Sequence, residues 1–425
     1  MHDIYLDFNA STPVAPEVAD IMRHALETGH GNPSSSHWAG APARQMVANA
    51  RVQVAALVGC APREIVFTSG GSEANNHALK GVFFASGKER PHFVTSSAEH
   101  PAIVAPLRFL ERLGARLTWL PVDGTGLVDP DDLRRAIKSD TVLVTIMHAN
   151  NETGTIQPIA ECAAIAQEYG VRFHTDAAQS VGKIPTRVDE LGVDLLTMAG
   201  HKFHAPKGVG ALFIRDGLQL EPFIHGAGHE GGRRAGTESA LLTAALGVAA
   251  SLAADLTPLV EVQSLRDRLW DGLSEAFGDG VVLNGHPERR LPNTLNVAFG
   301  GRVGAEILAA MPEVAASTGS ACHSGRVELS PVLEAMGVTP QVGMGAIRFS
   351  LGRATTIDEV EHVLARRRRR CRRSSSADSP PRMARARRTS SWSAAIAANP
   401  ISRAGTSRAR YALRSSAMQG VWSCA

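Results

Sequence analysis

The chain predicts an α/β protein, a parallel sheet with connecting helices followed by a smaller α+β unit, on three observations. Apolar strand-like runs alternate with helical runs from Arg63 to Arg215, the pattern of strands joined by crossover helices. Short polar clusters (Gly71-Ser72, Glu99-His100, Asn150-Asn151, Asp176 with Gln179, and His201-Lys202) all fall at or just past the C-terminal ends of predicted strands. Open α/β sheets bind their ligands at that edge. After about residue 255 the alternation gives way to a different, mixed pattern. At 425 residues, 44% of them hydrophobic, the chain is too long for one simple core and suits two domains.

Taken in order, Tyr5–Phe8 reads as a short strand and NASTPVAPEVADIMRHAL as a helix behind a Pro/Ser/Thr entrance. GNPSSSHWAG is a polar turn before a helix rich in Ala, Val and Arg. REIVFTSGGSEANNHALKG is strand, glycine turn and helix, with Gly71 and Ser72 at a helix N-terminus where free N–H groups favour an anion. Its spacing is neither that of a dinucleotide fingerprint nor that of a P-loop. PHFVTSSAEH places a strand before Glu99-His100, RLTWLPV is the next strand, and PDDLRRAIKSD is a helix. TVLVTIMHANNETG is an apolar strand ending in His148, Asn150, Asn151 and Glu152; the helix IAECAAIAQEYG leads to VRFHTDAAQS, the strand that carries Asp176. DLLTMAGHKFHAPKGVGALFIR reads as a strand, a polar knot around Lys202, a Gly/Pro turn and a second strand. A Gly-rich stretch, EPFIHGAGHEGGRRAGTESA, precedes an Ala-rich helix. The second unit holds the helix EVQSLRDRLWDGLSEAF, the strands VVLNG and LPNTLNVAFGG, a Gly/Ser-rich loop around Cys322, and AIRFSLGR.

The net charge of +3 is unevenly spread. Residues 366–425 hold 15 of the 44 basic residues and one of the 41 acidic ones, which leaves 29 basic and 40 acidic in residues 1–365. The body is therefore acidic, and the Arg-, Ser- and Ala-rich tail shows no helical or strand periodicity and predicts disorder. A nucleic-acid-binding arm is one reading of it; the other is an unselected extension, and no specific nucleic-acid partner is expected. No basic region followed by an apolar run opens the chain, so no secretion signal is expected. LLTAALGVAASLAA is short for a membrane span and reads as a buried helix. Cys60, Cys162, Cys322, Cys371 and Cys424 form no close pair and no metal spacing, which predicts a reduced, cytoplasmic protein without a metal site.

Lys202, set between two buried strands, sits where its amine is desolvated and made nucleophilic toward carbonyls. Its company is His201, His204, glycines that admit a ligand to the backbone, and Asp176 on an earlier strand. A Schiff-base lysine with an aspartate at the pyridinium nitrogen is the protein's part in pyridoxal phosphate chemistry.

The motifs YLDFNASTP, GNPSSSH, FTSGGSEANN, SSAEH, IMHANNETG, HTDAAQS, GHKFHAPKGVGAL, GTES, STGSACHS and IRFSLGR go further. In this order and spacing, over residues 4–363, the chain resembles the cysteine desulfurases of the NifS/IscS-like group, within the class V aminotransferases, and is also similar to selenocysteine lyase. The resemblance implies a homodimer of the pyridoxal 5′-phosphate-dependent transferase fold (fold type I), with a seven-stranded mainly parallel sheet and a smaller α+β C-terminal domain. It divides the chain into an N-terminal segment (1–12) packing with the small domain, a large cofactor-binding domain (13–255), a small domain with the cysteine loop (256–365) and the tail (366–425). Lys202 would hold the cofactor as a Schiff base, Asp176 would pair with the pyridinium nitrogen, and His100 would stack on the ring and move protons. Gln179 and Asn151 would bond the ring-oxygen side, and Gly71, Ser72 and His201 the phosphate. Thr237 would reach in from the neighbouring subunit. Arg348, with Asn151, would bind the substrate and clamp its carboxylate, and Cys322 would take sulfur from L-cysteine and pass it to an acceptor such as an iron–sulfur scaffold. One departure is visible: Ala199 stands where members of the group often carry serine, which removes one phosphate hydrogen bond worth about 1 kcal/mol.

Each residue has a plainer alternative. His100 would serve as a strand-end surface residue, Asp176 as a turn residue, Arg348 as a structural ion pair and Cys322 as packing; His174 and His204 read as structural. The rivals are selenocysteine lyase, for which Cys322 would be less essential; an aminotransferase or other lyase on the same scaffold, which needs no reactive cysteine; and a non-catalytic product in which the basic tail prevents dimerisation.

Overall fold

The computed structural model describes residues 3–318, 320–323 and 326–374, with the side chains of 320–323, 326–328 and 366–374 left undescribed. A short strand, β1 (Ile4–Tyr5), opens the chain. The main sheet follows in β2 (Ile65–Thr68), β3 (His92–Ser96), β4 (Arg116–Leu120), β5 (Thr141–Thr145), β6 (Arg172–Asp176), β7 (Leu195–Ala199) and β8 (Gly210–Ile214). Their spatial order is β2-β8-β7-β6-β5-β3-β4. β3 to β7 pair in parallel, and β8 is antiparallel to both its neighbours, so six strands run one way and β8 alone runs the other. The seven-stranded, mainly parallel sheet is the expected one.

Both faces of this sheet are buried, which is why its strands read as continuous apolar runs instead of alternating ones. On β2, Ile65 and Phe67 join one core while Val66 joins the other; on β8, Phe213 and Leu212 divide in the same way. Helices cover the two sides: α1 (Pro16–Thr28) and α2 (Gly40–Val58) on one, α3 (Gly71–Ala85) and α4 (Pro101–Arg112) on the other. Later in the chain come α5 (Pro130–Ala136), α6 (Ile159–Glu168), α7 (Val188–Leu191), α8 (Ala240–Ala253) and α9 (Pro258–Phe277). The Ala-rich α8 is the buried helix expected of it. It lies so close to α2 that a Cβ on Gly247 would come within 2.6 Å of the Ala50 Cα. Among the described residues no single helix is long and apolar enough to cross a membrane.

The second unit contributes β9 (Val281–Asn284), β10 (Thr294–Phe299), β11 (Val314–Ala315), β12 (Ser317–Thr318), β13 (Ser320–His323), β14 (Arg326–Leu329) and β15 (Ala346–Ser350). β12-β15-β10-β9 form an antiparallel sheet whose core includes Ile4 and Leu6 as well as α9. β1 pairs in parallel with β11, Ile4 opposite Val314.

Two expectations need correction. The stretch around Cys322 is not an irregular loop: β13 and β14 pair as an antiparallel hairpin with Cys322 opposite Val327. The Ser-Gly pair between them is a hairpin-turn signal that the small-residue composition masked; Gly319, Ser324 and Gly325 lie outside the described residues. The tail, expected to be disordered from residue 366, begins as helix: the final helix spans Ile357–Ser374. Arginine is a good helix former, and extending an established helix is cheap even without an apolar stripe. Residues 375–425, most of the expected disordered tail, lie outside the described residues.

Candidate active site

Because β2, β3, β5, β6 and β7 run in one direction, their C-terminal ends deliver the polar clusters to a single edge of the sheet. There a cavity of about 610 Å³ is lined by Gly71, Ser72, His100, Asn151, Asp176, Gln179, His201, Lys202 and Arg348. Nine of the eleven residues expected from the sequence are thus brought together. Thr237 is exposed and is not part of this lining within one chain. Of Cys322 only the backbone is described, in β13.

The β2–α3 turn forms the anion end. Gly70 has φ 149°, a backbone region open to glycine. The first helical bond of α3 runs from the Ala74 N–H to the Gly70 carbonyl at 3.1 Å, so the amides of Gly71, Ser72 and Glu73 precede the ladder. A Cβ on Gly71 would approach that of Ala199 to 3.1 Å, which puts the Ala199 methyl directly beside this helix start. Glu73 in the first turn accepts from Arg234 Nε at 2.9 Å, tying the Gly-rich segment before Thr237 to α3.

Asp176 ends β6 and is 5% exposed. Its Oδ2 accepts from Asn75 Nδ2 at 2.7 Å and its Oδ1 from the Ala178 N–H at 2.9 Å, so the carboxylate is buried but partnered. His100 caps α4, its Nδ1 accepting from the Ala102 N–H at 3.0 Å. Nε2 is then the ring nitrogen left for exchange. The surrounding protein lowers the pKa of His100, with the Lys202 charge adding to that effect and Asp176 opposing it.

Lys202 follows β7 in a single turn of 3-10 helix, Gly200–Lys202. Its Nζ donates to the Asn9 carbonyl at 2.6 Å and the Ala10 carbonyl at 3.0 Å. Burial, helped by Arg348 and opposed by Asp176 and Asp7, pushes its pKa down to about 8. Burial and the nearby lysines push His201 down to about 4, and its buried Nδ1 has no partner among the described residues.

Arg348, on β15, is not free. Its Nη2 donates to Asp7 Oδ1 at 2.7 Å and to Ser317 Oγ at 3.0 Å, and its Nη1 to the Asn151 carbonyl at 2.9 Å. Sequence reasoning missed Asp7, Asn9, Asn75 and Lys183, all within this network. YLDFNASTP was singled out as a motif, but nothing local to it says which distant groups Asn9 meets. His174 is bonded through both ring nitrogens to Thr145 and Thr197, and His204 to the Pro13 carbonyl. No cluster of potential metal ligands occurs among the described residues.

The chain is similar to known proteins over most of its length. The aminotransferase class-V family model matches residues 4–363. The chain is 46% identical over 366 residues to the cysteine desulfurase IscS of Dictyoglomus turgidum, covering 85% of this chain and 93% of that one. It is 44% identical over 368 residues to the cysteine desulfurase IscS of Methanosarcina thermophila, covering 85% and 90%. Among solved structures, a NifS-like protein aligns with a TM-score of 0.81 at 35% identity, over 87% of this chain and 99% of its own. SspA in complex with cysteine aligns with a TM-score of 0.75 at 35% identity, over 83% and 100%. The chain belongs to the aminotransferase class-V family, on its cysteine desulfurase branch.

Proposed function

We propose that this protein is a pyridoxal 5′-phosphate-dependent cysteine desulfurase, which converts L-cysteine to L-alanine and carries the sulfur as a persulfide on Cys322 to an acceptor such as an iron–sulfur scaffold protein. The observation that carries the reading is the meeting of a depressed-pKa lysine, a buried carboxylate and an open helix N-terminus around one cavity. The residues fit the cofactor: the α3 amides and the unpartnered His201 Nδ1 suit its phosphate, Asp176 suits its ring nitrogen, and Lys202 Nζ suits its aldehyde. The reading includes a cytoplasmic homodimer in which Thr237 serves the partner's site. It also includes the division into a segment 1–12, a large domain 13–255, a small domain 256–365 and a tail.

When bound, the cofactor supplies an electron sink for the charge left when the Cα proton of the substrate departs. Lys202 Nζ, partly neutral near pH 8, would hold the cofactor through its aldehyde and would then serve as the base that takes this proton. Asp176 keeps a proton at the ring nitrogen. His100, with Nδ1 held by α4, exchanges protons through Nε2. Gln179 and Asn151 orient the ring-oxygen side. Arg348 receives the substrate carboxylate in place of Asp7, as a two-pronged donor. The Cys322 thiolate then attacks the substrate sulfur. An S–S bond forms as the Cβ–S bond breaks, the electron pair stays on carbon, and protonation at Cβ with return of a proton to Cα from Lys202 releases alanine.

The test is alanine release from L-cysteine and from L-selenocysteine, by the protein and by Cys322→Ala. The expected result is turnover of cysteine that the substitution abolishes. Turnover of selenocysteine alone, or cysteine turnover that survives the substitution, would replace this reading with the lyase.

A further inference from the structure

Lys183, two turns past the end of β6, is a buried lysine that none of the steps above uses. It is 7% exposed, and no acidic side chain pairs with it among the described residues. Its Nζ donates to two neutral groups, Gln179 Oε1 at 2.8 Å and Asn9 Oδ1 at 3.1 Å. The amine donates to both groups, so each amide turns its oxygen toward Nζ. The remaining bonds agree. Asn9 Nδ2 donates to Thr294 Oγ1 at 2.8 Å and to the Asn151 carbonyl at 3.3 Å, and Asn293 Nδ2 donates to Asn9 Oδ1 at 3.0 Å. Gln179 Nε2 donates one N–H to the Asn9 carbonyl at 3.0 Å, the same carbonyl that receives Lys202 Nζ at 2.6 Å.

We infer that Lys183 is a positioning residue for the cavity: by occupying the side-chain oxygens of Gln179 and Asn9, it leaves Gln179 an N–H to offer and thereby selects a ligand whose facing oxygen is deprotonated. Without Lys183 the Gln179 amide is held only by its bond to the Asn9 carbonyl, and in the rotated fraction it would offer its own carbonyl, which favours the protonated, neutral hydroxyl instead. The charges around it act in the same sense. Lys202 and Arg348 are its cationic neighbours, Asp176 and Asp7 offset them at Lys202, and His201 faces Lys202, Lys207 and Lys183. Burial, with Lys202 and Arg348, holds the pKa of Lys183 well below the usual lysine range. A pocket edge that presents the Gln179 N–H beside the Arg348 guanidinium stabilises an oxyanion and penalises a neutral hydroxyl.

This inference rests on the pyridoxal 5′-phosphate reading, and spectroscopy separates the two. The protein loaded with pyridoxal 5′-phosphate is titrated through its visible absorbance band, as wild type, Lys183→Met, Gln179→Ala and the double variant, with melting temperatures as a check on folding. Lys183→Met is expected to raise the midpoint of the band by about one pH unit, since the Gln179 amide is no longer held with its N–H toward the ring oxygen. In the Gln179→Ala background the same substitution is expected to move it by less than half as much, because Lys183 acts through that amide. A midpoint unchanged by Lys183→Met, or an equal rise in both backgrounds, overturns the inference while leaving the cofactor reading intact. A wild-type protein that forms no band overturns both. Should Lys183→Met not fold, Lys183→Gln is measured in the same two backgrounds. It keeps an N–H donor and is expected to leave the midpoint near the wild-type value, and a full one-unit rise overturns the inference.

Discussion

Lys202 allows a sharp test of the electrostatic argument. With a pKa near 8, its amine in the cofactor-free protein is about one tenth neutral at pH 7 and about nine tenths neutral at pH 9. An ordinary lysine, near 10.4, has only a few per cent of neutral amine at pH 9 and keeps gaining through pH 10. Modification by an amine-reactive reagent, followed residue by residue by mass spectrometry with the exposed Lys88 as internal reference, should rise about tenfold at Lys202 between pH 7 and 9 and then level off. The neighbours set the direction of further changes. Asp7→Asn removes a charge that favours the ammonium and moves the midpoint down, whereas Arg348→Met removes a charge that opposes it and moves the midpoint up. The same shift has a stability consequence. Between about pH 8 and 10.5 the unfolded chain holds the proton that the folded chain has released, so stability rises with pH across that window. The full effect is about 3 kcal/mol, and it should be missing from Lys202→Met in urea melts. A labelling rate that climbs without a plateau through pH 10 would refute the assignment of a desolvated amine.

Three further outcomes are expected. Glu99, 5% exposed, has its carboxyl pushed up to about 8, first by burial and then by Asp176, against hydrogen bonds from Ser96 and Met147. Its folded pKa lies above the unfolded one, so stability is lost as pH rises from about 4.5 toward 8, and Glu99→Gln should flatten that part of the melting-temperature profile; an unchanged slope would count against a buried acid there. Ala199→Ser places a hydroxyl beside the α3 N-terminus and should tighten the binding of pyridoxal 5′-phosphate by about fivefold, worth about 1 kcal/mol, as read by equilibrium dialysis. Asn75→Ala strips Asp176 Oδ2 of its 2.7 Å donor and should lower stability by about 1–3 kcal/mol in denaturant melts of the cofactor-free protein, whereas a neutral outcome would mean that water replaces the bond without cost.

The sequence by itself determined the class of fold and most of the candidate site, because both are written in local order. Apolar runs between Arg63 and Arg215 mark strands buried on both faces, and the residues just past them, Gly71, His100, Asp176 and Lys202, are placed at one edge by the parallel direction of those strands. Regularities that extend over tens of residues misled in two places: the Gly/Ser-rich stretch around Cys322 hid a hairpin, and the arginine run hid a continuing helix. What only the tertiary structure decided is who meets whom inside the cavity. Asn9 reaches Lys202 across 193 positions, Asp7 reaches Arg348 across 341, and Lys183 becomes significant because the folded chain buries it between two amides. Hydrogen bonds of this kind have no period and no spacing. They depend on loops closing over hundreds of residues and on water being excluded once they close, and both are properties of the packed chain.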